Sequence, residues 1–140
     1  MTLIQIKEQK EKYANSLQRL LKTLYKLTPF DSKLIYSDTV LELYDASGAR
    51  FTRVYESAVK LFRAQDLFDS IEASTSYREL IHKMETLGWV NNTDMWMEMK
   101  IIRNKLNHEY LPFDQQSIYN FILTEAKAEF VHLDKATSSV

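Results

Sequence analysis

The sequence predicts an all-α protein, an antiparallel bundle of about five helices, on three observations. Apolar residues recur at steps of three and four along most of the chain, which is the period of an amphipathic helix. Only two glycines and two prolines occur in 140 residues, and no stretch alternates apolar and polar residues as a half-exposed strand does. The connections between the later helices are short, which favours antiparallel neighbours. We expect residues 1–140 to form a single domain.

The first helix is predicted over residues 3–27, where one face is apolar and the opposite face carries lysine and glutamate. Thr28-Pro29 should end it, because a residue before proline is pushed out of the helical region. Residues 30–47 fit either a short helix capped by one of residues 37–39 or an ordered connection.

A second long helix is predicted from about Ala49, with Gly48 at its start or at a kink. The third helix should begin after Ser76, which has the capping-box spacing to Glu79. It should end before Gly88, because glycine is favoured just beyond a helix.

The fourth helix is predicted from Asp94 to about Glu109, after cap residues at 91–93. A fifth helix is predicted to start from a cap at Asp114 and to run to about residue 133. These two elements complete the predicted bundle.

The fourth helix is apolar on two faces. One face is a core stripe of Met95, Met99, Ile102 and Leu106. A surface helix of a small monomer needs only one such face, so Met97, Ile101 and Trp96 are candidates for a second contact, most simply a homodimer interface. The alternative is that the fourth helix is central in its own bundle and is covered on both sides.

The stretch at 103–110, RNKLNHEY, brings an arginine, a histidine and a tyrosine together at the end of this helix. On an ideal helix Arg103 and Tyr110 project within about 20° of each other, whereas His108 lies about 140° from Arg103. Arg103 and His108 can therefore share a substrate only if the last turn unwinds, or if two copies of the segment face each other across a two-fold axis. The sequence is compatible with both arrangements.

Composition narrows the classes of function. A net charge of −1 argues against attraction of the whole molecule to nucleic acid, but Lys100 and Lys105 form a local basic patch that could contact RNA phosphates. This patch is small, so we expect modest RNA affinity from this chain alone. There is no cysteine, no histidine–carboxylate cluster and no glycine-rich phosphate loop, so we expect no metal, no cofactor and no nucleotidyl transfer by this chain. With no signal-peptide pattern and no long apolar run, we expect a cytoplasmic protein without membrane association.

The segment at 103–110 matches the pattern R-x4-H-x-Y, and in this it resembles the HEPN superfamily, helical domains found with minimal nucleotidyltransferases in prokaryotic operons. RFTRVYESAVK at 50–60 and the stretch 76–110 look like the branch described as nucleotidyltransferase substrate-binding proteins, relatives of the HepT toxins. The resemblance is specific over about residues 50–110, whereas the first and last helices agree only in pattern.

The resemblance implies a dimeric helical bundle that cuts RNA without a metal, as the toxin of a toxin–antitoxin pair whose partner nucleotidyltransferase restrains it. By position it makes Arg103 and His108 the catalytic pair. It makes Tyr110 the motif tyrosine, which in the HepT branch the partner modifies with AMP. The residues to which it gives a supporting role are Asn104, Tyr110, Glu56 and Lys60.

These residue types suit such chemistry. Cutting RNA without a metal needs a base for the ribose 2′-hydroxyl, an acid for the leaving 5′-oxygen and a cation for the charge on the phosphorane. A histidine such as His108 serves as acid or base near neutral pH, and the guanidinium of Arg103 matches phosphate geometry. In a two-fold site two histidines could divide the acid and base roles. The products would carry 2′,3′-cyclic phosphate and 5′-hydroxyl ends.

A function from a different class stays open beside the ribonuclease. The chain could be a non-catalytic module that binds a substrate, or presents it, to a separately encoded nucleotidyltransferase. Plain structural roles also stay open, with Arg103 solvated or paired to an acid on another helix and His108 a partner of the helix dipole.

Overall fold

The structure is a computed structural model that describes residues 2–70, 72–108 and 114–140. Within these ranges it has no strand, and five helices form a bundle, which confirms the predicted all-α class. The elements are α1 (Leu3–Tyr25), α2 (Asp38–Asp69), α3 (Tyr77–Thr86), α4 (Thr93–Leu106), and a last helix composed of α5 (Asp114–Phe121), a π-helical turn (Ile122–Ala126) and α6 (Lys127–Ala136).

The long helices α1 and α2 form the most extensive helix pair, and the last helix closes the bundle against α1. The phenol of Tyr13 on α1 is buried and donates a hydrogen bond to the carbonyl of Phe130 at 2.6 Å. Near it, the Lys10 ammonium lies 2.5 Å from the Asp134 carboxylate. A buried polar group needs a hydrogen-bond or ion-pair partner. These contacts supply one to Tyr13 and one to Lys10, so α1 and α6 pack closely without an unpaired polar group at these two positions.

The second helix begins at Asp38, and the prediction of a start near Ala49 is wrong. The hydroxyl of Ser37 caps its first turn at 3.3 Å. Gly48 lies inside the helix rather than at its start, and it is buried. A Cβ atom placed on Gly48 would lie 3.1 Å from Cδ2 of Leu106, so the missing side chain permits a close approach of α4 to α2.

The connection between α1 and α2 is ordered by an aromatic cluster around Phe30. Its ring lies 5.0 Å from the ring of Tyr36, 4.9 Å from Tyr44 and 5.3 Å from Tyr119, measured between centroids. The side-chain amide of Asn120 accepts the N–H of Phe30 at 2.7 Å and donates to its carbonyl at 3.0 Å. Each of the two interpretations of residues 30–47 is therefore correct for part of the stretch. Residues 30–37 form an ordered connection, and the residues from 38 onward are helical.

The caps of α3 are partly as predicted. The Ser76 hydroxyl accepts the N–H of Glu79 at 3.1 Å, but the Glu79 carboxylate accepts the N–H of Thr75 at 3.1 Å instead of that of Ser76. Gly88 has φ +82°, and its N–H and that of the next residue close the two hydrogen bonds of a Schellman motif. The glycine beyond α3 is confirmed as its stop.

Other helix bounds also differ from prediction. α1 ends at Tyr25, α4 ends at Leu106, and the last helix extends to Ala136, with Asp114 inside the helix instead of at its cap. Residues 109–113, which include Tyr110, lie outside the described residues.

Candidate functional site

The start of α4, the helix that carries Arg103, is fixed by a buried carboxylate on α6. One oxygen of Glu129, whose residue is 4% exposed, accepts the indole N–H of Trp96 at 3.0 Å. The same oxygen accepts the backbone N–H groups of Asn91 at 3.2 Å and Asn92 at 3.1 Å. The side chain of Asn92 then caps the first turn of α4. Three donors on one oxygen therefore hold the turn before α4 against the last helix.

Arg103 is held by groups on two helices. Its Nη1 lies 3.4 Å from Oε1 of Glu56 on α2, and its Nε donates to the Asn104 side-chain oxygen at 3.1 Å. Its guanidinium carbon lies 5.6 Å from the centroid of the Tyr55 ring. Glu56 and Asn104, both expected to support the site, thus contact Arg103 directly. Of the plain alternatives for Arg103, pairing to an acid on another helix is what the structure has, and the guanidinium keeps further donors for a ligand.

The Arg103 cleft is an open cavity of about 340 Å³ between α2, α3 and α4. The residues that line it are Tyr55, Glu56, Val59, Lys60, Arg63, Tyr77, Lys100 and Arg103. Four of these side chains are cationic and one is a carboxylate, so the cleft carries an excess of positive charge suited to an anion. Lys60 and Lys100, predicted as a supporting residue and a phosphate contact, both lie in this cleft with Arg103.

Two tyrosines form the floor of the Arg103 cleft. The phenol of Tyr77 donates to the carbonyl of Trp96 at 2.8 Å, and the Lys100 ammonium lies 4.9 Å from the centroid of the Tyr77 ring. Burial raises the pKa of both Tyr55 and Tyr77. Both phenols therefore stay neutral near pH 7 and do not oppose an anionic ligand.

His108 lies beyond the end of α4. The N–H of Asn107 bonds to the carbonyl of Arg103 at 3.1 Å, and the N–H of His108 bonds to the carbonyl of Lys105 at 3.2 Å, so the helix closes at this point. Both His108 and Lys105 are exposed, and neither lines the Arg103 cleft. Among the described residues, no hydrogen bond or ion pair involves the His108 imidazole. One chain therefore brings Arg103, Glu56, Asn104, Lys60 and Lys100 together, but not His108.

The candidate interface residues of α4 have different surroundings. Trp96 is fully buried in its own chain, so its assignment to a dimer interface is wrong; it packs under α6 because Glu129 binds its indole. Met97 is half-buried and packs against the core. Ile101 is 48% exposed and is the residue of this set that offers apolar surface to a partner.

The site also contains three residues for which the sequence predicted no role in it, namely Arg63, Tyr55 and Tyr77. Lys60 lies four residues after Glu56, and Arg63 lies three residues after Lys60. This spacing places the three side chains on one face of α2, so the sequence contains a signal for Arg63. Tyr77 had no such signal, because its place in the cleft depends on how α3 packs against α4.

No group of three or more histidine or acidic side chains in the described residues could hold a metal ion. None of the helices formed by those residues is long and apolar enough to cross a membrane. Comparison with models of protein families and with curated protein sequences finds no match to this chain.

Proposed function

We propose that this chain is a HepT-like RNA endonuclease, the toxin of a toxin–antitoxin pair acting in the cytoplasm, with the R-x4-H-x-Y motif as its catalytic segment. The observation that carries the proposal is the position of Arg103, which is oriented by Glu56 and Asn104 inside a cleft with three further cations. Such a cleft stabilises the negative charge of a phosphate and of the phosphorane formed from it.

In the proposed reaction the ribose 2′-oxygen attacks the adjacent phosphorus, and the bond from phosphorus to the 5′-oxygen breaks. A base accepts the 2′-hydroxyl proton, and an acid donates a proton to the leaving 5′-oxygen, which gives 2′,3′-cyclic phosphate and 5′-hydroxyl ends. His108 supplies these proton transfers, and Arg103 stabilises the charge on the phosphorane. No metal or cofactor takes part.

His108 and the Arg103 cleft are separate in one chain, so we propose that the complete site forms in a homodimer. The exposed Ile101 lies on α4 beside the motif and offers a contact for a second copy. An Ile101→Glu variant should then sediment as a monomer at concentrations where the wild type is a dimer. A Lys127→Glu variant, altered on the exposed face of α6, is the matched control. If Ile101→Glu keeps the mass of a dimer, the interface does not include Ile101.

Cleavage of RNA by the purified protein tests the catalytic assignment. We expect wild type to produce cyclic-phosphate ends, and His108→Ala and Arg103→Ala to lose activity by at least about a hundredfold. Lys127→Ala, an exposed change remote from the cleft, should retain it. Circular dichroism of all three variants shows whether they are folded. A folded His108→Ala protein that cleaves at the wild-type rate would refute the role of His108.

The proposed antitoxin is a minimal nucleotidyltransferase that transfers AMP from ATP to the hydroxyl of Tyr110, with release of pyrophosphate. Incubation of the chain with the proposed partner nucleotidyltransferase and ATP should add the mass of AMP to the peptide that contains Tyr110, and Tyr110→Phe should remove the addition. Unmodified wild type under conditions in which the partner is active on ATP would contradict this regulation.

A second candidate function is a non-catalytic subunit that binds an anionic substrate for the nucleotidyltransferase. The observation that favours it is that one chain brings the four cations of the Arg103 cleft together without His108. In this case wild type and His108→Ala bind RNA or nucleotide equally well, Arg103→Ala binds less, and none of them cleaves RNA.

A further inference from the structure

The basic residues of α1 and α2 gather on one side of the molecule. Six of them line two adjoining grooves between the helices, and we call this surface the basic track: Lys12, Arg19 and Lys22 on α1 with Arg50, Arg53 and Lys60 on α2. The track joins the Arg103 cleft, because Glu56 and Lys60 line both. Among the residues that the structure describes, track and cleft together hold nine lysines and arginines but one acidic residue, Glu56.

The antiparallel packing of α1 and α2 sets the order of charges along the track. Lys12 and Lys60 line its end near the cleft, Arg19 and Arg53 line both grooves, and Lys22 and Arg50 line the far end. From residue 50 to residue 63, α2 rises by about 20 Å. One strand of stacked nucleotides has a phosphate about every 3.4 Å, so this length accommodates about six phosphates.

These cations are available to a ligand. The ion pairs among the described residues include none of the six cations of the track. Arg50 is held by neutral acceptors, since its Nη1 donates to the carbonyl of Arg19 at 3.0 Å and to the hydroxyl of Thr23 at 2.8 Å. The surface therefore has a strong local positive potential although the chain has a net charge of −1.

The lining of the basic track favours a nucleic acid over a protein partner. The remaining side chains that line it are polar, among them Asn15, Ser16 and Ser57, and none of the apolar side chains within the described ranges lines either groove. A protein interface needs buried apolar or aromatic anchors at its centre, which this surface lacks. Lysine, arginine, serine and asparagine side chains are the groups that contact phosphate and sugar.

We propose that the basic track binds the phosphate backbone of a single RNA strand and leads it into the Arg103 cleft. No aromatic side chain of the described part of the chain lines the track, so it contacts the backbone without reading the bases. The choice of RNA as ligand rests on the proposed function, whereas binding along the track requires no cleavage.

The test is binding of fluorescein-labelled oligoribonucleotides with 2′-O-methyl riboses, which cannot be cleaved by attack of the 2′-oxygen. Anisotropy is measured for lengths of two to twelve nucleotides and over a range of salt concentrations. The variant is Arg53→Glu, which changes the middle of the track and no residue of the Arg103 cleft. The matched control is Lys127→Glu, the same reversal of charge at an exposed position of α6.

We expect wild-type affinity to rise with length up to about six nucleotides or more and to fall with salt. Arg53→Glu should weaken binding of the longer oligonucleotides about tenfold and reduce the salt slope by about 0.7 for each phosphate that the variant no longer neutralises, with little effect on dinucleotides. Lys127→Glu should bind as wild type.

Three results would overturn the inference: affinity that stops rising at two nucleotides, equal binding by Arg53→Glu and wild type, or a polyaspartate peptide that binds as tightly as RNA at equal salt. The last result would indicate that the basic track binds an acidic protein instead of RNA. Track-dependent binding without cleavage of unmodified RNA would support the basic track and refute the ribonuclease, so the two proposals fail separately.

Discussion

Among the described residues that line the Arg103 cleft, Glu56 is the one carboxylate beside four cations, and Glu56→Gln separates its effect on affinity from its effect on stability. Its ion pair with Arg103 spans 3.4 Å, and the side chain of Glu56 is 48% exposed. A pair this exposed contributes at most about 1 kcal/mol, and glutamine retains an oxygen to accept from the guanidinium. We therefore expect the free energy of unfolding to change by less than about 0.5 kcal/mol.

The same change should strengthen RNA binding, although it removes an ion pair from the protein. A phosphate held in the cleft about 5 Å from the Glu56 carboxylate is repelled by about 0.8 kcal/mol in a water-like dielectric. The screening length of about 8 Å at 0.15 M salt roughly halves this energy. Glu56→Gln should thus bind uncleavable RNA about fourfold tighter at low salt and about twofold tighter at 0.15 M.

Anisotropy titrations at the two salt concentrations measure this change, and Glu42→Gln is the matched control. Glu42 is exposed on the same helix, about 21 Å along its axis from residue 56, so its replacement should leave affinity unchanged at 0.15 M. If the chain is a ribonuclease, turnover at saturating RNA should fall in Glu56→Gln, because Arg103 loses the charge that orients it. Affinity that is equal to or weaker than wild type in Glu56→Gln would refute phosphate binding in the Arg103 cleft.

Two further predictions concern buried carboxylates. Glu129→Ala leaves the buried indole N–H of Trp96 without an acceptor and should lower the free energy of unfolding by about 3 kcal/mol in urea titrations, and a decrease below about 1 kcal/mol would contradict this. At Asp66 burial alone would raise the pKa, but the N–H of Ser74 and the ammonium of Lys83 outweigh it and hold the pKa below its usual range. The carboxylate therefore stabilises the folded chain above its ordinary pKa, and this contribution is lost as pH falls through the lowered value. As pH falls below about 4, the free energy of unfolding should therefore decrease less in Asp66→Asn than in wild type. Identical decreases in the two proteins would refute the lowered pKa of Asp66.

Signals within one helix were predicted well from the sequence, because they depend on residues a few positions apart. The cap at Ser76 and the stop at Gly88 are examples. The start of α2 was missed because Gly48 resembles a helix break. The structure accepts a glycine inside the helix because Leu106, from a helix far along the chain, packs against that position. A contact of this kind has no local pattern.

The candidate site divides in the same way. Glu56, Lys60 and Arg103 were identified by resemblance to a motif, and the ion pair between two of them joins helices that no spacing rule relates. Trp96 was misassigned because a helical wheel places it beside the core stripe without showing the carboxylate of Glu129 that buries it. The basic track escaped notice because its charges come from two antiparallel helices and are dispersed along the sequence.

The close approach of Leu106 to Gly48 also has a consequence for the Arg103 cleft. Arg103 lies one turn before Leu106 on α4, and Glu56 lies two turns beyond Gly48 on α2. The contact between Leu106 and Gly48 therefore sets the distance between the two helices that carry Arg103 and Glu56. A bulkier residue at position 48 would push α4 away from α2 and lengthen the distance between the Arg103 guanidinium and the Glu56 carboxylate. The width of the Arg103 cleft thus depends on the absence of a side chain at Gly48, a residue that does not line the cleft.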